Sequence, residues 1–147
     1  MTMRWPRFRL SVNAAGGTLT WVGPLRGFQR EYTVEVRWNA RDPNAGPLVR
    51  VLEPRLRARP GGRFIDIPHL LTIDPLDHEL SPLCLFDPQE GQWNGSMLIA
   101  DTILPWASEW LHHYEFWHLD GVWRGANAPG PISFGEMVDA MGTNDGE

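Results

Sequence analysis

The segment "HELSPLCLFDPQEGQW" carries Cys84, the sole cysteine of the chain, between Pro82 and Pro88. His69 and His78 precede it, and Asp87 follows three residues later. A thiol with an imidazole in reach is material for nucleophilic catalysis, because the thiolate attacks a carbonyl and a neighbouring base generates it. The competing reading is a small buried hydrophobe between Leu83 and Leu85, where an unpaired cysteine usually sits. Two prolines weigh against a central strand, and the flanking leucines are expected to anchor the backbone while the sulfur stays at the surface. A thiol peptidase fits poorly, since its glutamine oxyanion donor and its histidine-then-asparagine order are missing.

Other polar clusters carry weaker signals. His112, His113 and His118, with Glu115, fall on one expected helix, but none repeats the His-Glu-x-x-His spacing of a zinc site, so no metal is expected. Arg50, Arg55, Arg57, Arg59 and Arg63 read either as a solvated strand face or as contacts to an anionic partner.

The elements that must position Cys84 follow from hydrophobic period. "RFRLSV" and "GTLTWVG" alternate around the turn "NAAGG", as in a hairpin. "REYTVEVRW" alternates strictly, with Tyr32, Val34, Val36 and Trp38 on one face. "LVRVLEPRLRARP" predicts a further strand interrupted at Pro54. These pieces make an antiparallel meander of four strands. The chain from Arg59 to Gly95 is proline-punctuated and irregular, and such spans are more often functional than accidental. Ile103, Trp106, Ala107, Trp110, Leu111, Tyr114 and Trp117 then recur at helical spacing, with Pro105 in the first turn and Gly121 as terminator.

At 147 residues the expectation is one domain over residues 1–140 and a disordered tail at 141–147. A net charge of -5 argues against nucleic acid or an anionic membrane as partner. No transmembrane run or signal peptide is read, and one unpaired cysteine suits a reducing cytoplasm. All thirteen basic residues are arginine. Compositional drift explains the missing lysines, and Met1 supplies the only intrinsic amine.

The order of elements resembles the ubiquitin-conjugating enzyme fold. In that family the catalytic cysteine lies in an extended segment after the meander, with a tryptophan eight or nine residues later, as Cys84, Leu85 and Trp93 do here. A closer resemblance is to the bacterial ubiquitin-conjugating-like proteins of cyclic-oligonucleotide-based anti-phage signalling (CBASS) operons. It rests on "LTWVG", "EPRL", "IPH", "LCLF" and "TILPWASEWLHHYEFWHLDGVWRG", covering Phe8 to Gly125. Two departures stand out. "MTMRWPRFRL" leaves no room for a full N-terminal helix, and the His-Pro-Asn motif is absent, His69 being preceded by proline.

The resemblance implies an α+β fold with an irregular catalytic loop and C-terminal helices. It also implies a thioester carrier: Cys84 accepts the C-terminus of a partner, the operon's nucleotide cyclase, and passes it to an amine. His69, His78 or backbone amides would support the oxyanion, and Asp87 would help deprotonate the amine. An activating enzyme is a further implied partner, and no cofactor is. The alternative is a non-catalytic module of the same fold that docks a partner through its tryptophan-rich helix.

Overall fold

The computed structural model describes Met1 and residues 3–125. Four strands form one antiparallel sheet in the order β1 (Arg9–Asn13), β2 (Thr18–Arg26), β3 (Glu31–Asn39) and β4 (Leu48–Glu53). Each strand pairs with its sequence neighbour, as the meander predicts. The β1–β2 turn closes through Gly17 N–H to Asn13 O at 2.8 Å. Strand β3 buries Tyr32, Val34 and Val36, matching its alternation. Val49 and Val51 extend that face across β4, and Leu25 across β2.

Strand β4 stops at Glu53, short of the expected span, because Pro54 has no amide to continue a ladder. Its free edge is taken up instead by the returning chain. Leu83 N–H donates to Val49 O at 2.9 Å, and Leu83 forms an isolated bridge with Leu70. The irregular segment is therefore pinned to the sheet where Cys84 begins.

The expected helix is α1 (Ile103–Asp120). Pro105 lies in its first turn, where its missing amide costs little. Gly121 closes it at φ 76°, donating its N–H to Trp117 O. Ile103, Leu104, Ala107, Trp110, Leu111, Tyr114 and Trp117 are buried on the sheet side. Trp106, expected inside with them, is only half-buried. It packs on Phe86 at 6.3 Å between ring centroids, so its partner is the loop. Trp110 and Trp117 are 4% and 6% exposed, which removes them from any docking face. The reading of this stripe as an exposed partner surface is corrected accordingly.

Among the described residues no helix precedes β1, and α1 is the sole α-helix. The N-terminal chain instead crosses to α1's entry, where Trp5 Nε1 donates to Ala100 O at 2.9 Å and Arg4 pairs with Asp101. The expected tail at 141–147 lies outside the described residues. No helix among them is long and apolar enough to cross a membrane.

Trp110 combines burial with a hydrogen bond to the loop, so Trp110→Ala is expected to cost about 3–5 kcal/mol in denaturant unfolding. A loss below about 1 kcal/mol would show that the helix face is not core.

Candidate functional site

The Cys84 backbone N–H donates to His69 O at 2.8 Å. The same carbonyl accepts from Trp110 Nε1 at 2.9 Å, so one oxygen joins the cysteine segment to α1. His69 has φ 57°, the one non-glycine residue in the left-handed region among those described. Such a conformation persists only where its surroundings over-determine it, and it concentrates at functional sites. Here the surroundings are aromatic. Trp123, just past α1, packs on His69 at 5.1 Å, on Trp110 at 5.3 Å and on His113 at 5.7 Å between ring centroids.

The thiol itself is not at the surface. Cys84 is 4% exposed, and Sγ lies 3.7 Å from Phe86 O, the chain turning back past it. This corrects the expected surface position. The cause is the next turn of chain: the Phe86 ring packs near Trp93 and Trp106 and lies against Gly46, where a Cβ would run into it. Burial pushes the Cys84 thiol up to about 11, and the nearby Asp87 carboxylate adds to the rise. In this closed arrangement the thiol is protonated and quiet.

Asp87 caps the 3₁₀ turn Pro88–Glu90, accepting from Gln89 N–H at 2.8 Å. Its own N–H donates to Gln92 Oε1 at 2.8 Å. A turn role and a position within electrostatic reach of Cys84 thus coincide in one residue.

His78 stands apart. It is exposed in the turn His78–Leu80, its ring edge on Phe64 at 4.8 Å. Its neighbours Asp77 and Glu79 pair with Arg55 at 2.8 and 3.2 Å. Among the described residues no contact links it to Cys84. The structure brings together Cys84, His69 and Asp87, and leaves His78 out.

The helix histidines serve backbone and packing roles. His112 Nδ1 lies 2.6 Å from Ser108 O, and His118 Nε2 lies 2.7 Å from Arg57 O. Among the described residues no three His, Cys, Asp or Glu side chains converge as metal ligands.

Three contributors escaped sequence reasoning: Trp123 against His69, Gly46 beneath Phe86, and Thr102. The Thr102 hydroxyl accepts from Trp93 Nε1 at 3.1 Å and donates to Leu98 O at 2.8 Å. The "DGVWRG" part of the last motif block was the available signal for Trp123. Gly46 and Thr102 had none, because their roles depend on long-range contacts.

With this geometry in hand, a family model for the Type II CBASS E2 protein matches residues 1–131. The chain belongs to the Type II CBASS E2 family. No curated protein matches it. Membership assigns the meander, loop and helix to the E2-like α+β fold, without an N-terminal helix in the described residues. It also gives the chain an E2-like role in CBASS.

The raised thiol makes a direct chemical expectation. Only the thiolate is alkylated, so at pH 8 iodoacetamide should modify Cys84 about 100-fold more slowly than an ordinary cysteine. The rate should climb as pH rises toward 11 and jump when denaturant opens the fold. Alkylation of the native protein at a free-cysteine rate would show that the thiol is not buried.

Proposed function

We propose that the chain is a ubiquitin-conjugating-like transferase, with Cys84 as thioester carrier in anti-phage defence. The reading rests chiefly on one arrangement: the chain's single thiol is fixed, through the carbonyl of a left-handed His69, to the helix that carries the family's longest motif. The donor is the C-terminus of the operon's nucleotide cyclase, presented in activated form by an activating enzyme. The working unit is a single domain over residues 1–140, acting in the cytoplasm.

In loading, the Cys84 thiolate attacks the activated carbonyl, the tetrahedral oxyanion collapses and the activating group leaves. In transfer, an acceptor amine attacks the thioester carbonyl, Cys84 leaves as thiolate, and the amine proton passes to a base. We assign that base to Asp87, whose carboxylate lies within electrostatic reach of Cys84. The Cys84 amide is committed to His69, so the oxyanion falls to amides that follow the cysteine. His69 is then a positioning residue, and His78 takes no part. Because Cys84 is buried, with its sulfur against Phe86 O, loading requires the chain around Phe86 to open.

With no lysine in the chain, its N-terminal amine is the one intrinsic acceptor, and the working acceptor comes from outside.

Two sets of variants test this in cells that carry the chain with its donor. Cys84→Lys should accumulate a stable amide adduct with the donor, and Cys84→Ala none. Because Cys84 is packed, Cys84→Ala is expected to lose about 1 kcal/mol of stability without unfolding. An adduct that forms equally on Cys84→Ala would remove the cysteine from the chemistry. Separately, Gln89→Lys should create a self-conjugated species that depends on Cys84, while the parent chain modifies at most its N-terminus. A loaded Gln89→Lys protein without that species would mean the site excludes its own loop.

A further inference from the structure

A cleft of about 320 Å³ lies between the β2–β3 turn, the chain after β4 and the last turns of α1. Its walls include Tyr32 and Tyr114, and Arg30, Arg55 and Arg57 line it. The Tyr114 hydroxyl is spent on the backbone, accepting from Arg57 N–H at 2.9 Å. Glu115 is the one carboxylate among the described lining residues, and it is already engaged. It accepts from Tyr32 Oη–H at 3.1 Å and from Gln29 N–H at 2.8 Å.

The cations are less evenly matched. Arg55 is held by Asp77 and Glu79. Arg30 and Arg57 are exposed and take part in no ion pair among the described residues. That is notable in a chain of net charge -5 with 18 acidic residues available. Beside them lie Pro54 and Leu119, the latter 68% exposed. Two unmatched guanidiniums next to uncovered apolar surface fit a carboxylate and an aromatic or aliphatic side chain together.

We infer that this cleft docks an acidic peptide segment of a protein partner, one that also carries a large apolar side chain. Carboxylates accept from Arg30 and Arg57, whose planar forks match them. The apolar side chain lies on Leu119 and Pro54. The cleft is distinct from the thiol: Tyr114 lies in it, whereas Trp110, one helical turn away, is the residue that holds His69. The inference therefore stands whether or not Cys84 carries a thioester.

The test uses the full chain and a synthetic peptide, acetyl-Glu-Asp-Phe-Glu-Asp-amide, titrated by NMR. A Gln/Asn version of the peptide and inorganic phosphate serve as comparison probes. The acidic peptide should shift resonances of Tyr32, Tyr114 and Leu119, and its affinity should fall at least about tenfold in 0.5 M salt as surface charge is screened. Arg30→Glu with Arg57→Glu should abolish binding, and Leu119→Ser should weaken it severalfold, both with native-like spectra. If the double variant fails to fold, Arg57→Gln alone should still weaken binding severalfold. Cys84→Ala should bind as the parent does. Equal affinity for the neutral peptide would overturn the inference. Phosphate binding as tightly as the peptide would also overturn it, showing a small-anion site instead.

Discussion

One carbonyl oxygen couples the chemistry-bearing loop to the scaffold. His69 O receives the Cys84 amide and the Trp110 indole together, at 2.8 and 2.9 Å. To aim that oxygen, His69 adopts φ 57°, a conformation that costs a non-glycine residue on the order of 1–3 kcal/mol. The cost is offset by packing: Trp123 lies on the His69 ring, and Trp110 stacks on Tyr114 at 5.5 Å within the buried face of α1. Leu83 completes the arrangement by bonding to the edge of β4. The segment that holds Cys84 is therefore fixed on both sides, although it has almost no regular secondary structure.

Fixing the backbone and hiding the sulfur are separate achievements. The first comes from His69, Leu83 and Trp110. The second comes from the turn through Phe86, which fits against Gly46 in the β3–β4 connection. The β3–β4 connection meets this turn again at Gly95, whose Cβ position faces Pro43 O at 2.7 Å. The backbone anchors and the cover over the sulfur thus rest on different contacts. In the proposed reaction this division allows a carrier to keep its nucleophile positioned, protected from adventitious alkylation or oxidation, and released only when a donor displaces the turn.

The sheet was legible because strand alternation is a local signal: Tyr32, Val34 and Val36 declare their face without reference to anything distant. Helix α1 was legible for the same reason, with Pro105 and Gly121 marking its ends. The candidate site was less so. Cys84 and His69 could be singled out by type, yet their link runs through a backbone carbonyl that no residue identity reveals. The expectation of an exposed sulfur failed because it weighed only Pro82 and Leu85. The covering residues Phe86 and Gly46 meet across 40 positions of chain. His78 shows the complementary case: it lies nearer to Cys84 in sequence than His69 does, but its ring packs on Phe64 and its neighbour Asp77 pairs with Arg55. Trp106 shows the limit of periodicity, since a helical stripe specifies a direction and not the partner, here a loop ring.

The central claim is that Cys84 exchanges acyl groups. The proposed donor, a nucleotide cyclase prepared with a C-terminal mercaptoethanesulfonate thioester, bypasses any need for an activating enzyme. Incubated with this donor, the chain should gain the donor's mass by transthiolation, release it on treatment with dithiothreitol, and yield the linked peptide at Cys84 in intact and digested mass spectra. A donor that stays uncoupled while the thiol is shown to be reduced, or an adduct that survives dithiothreitol and maps away from Cys84, would contradict the claim.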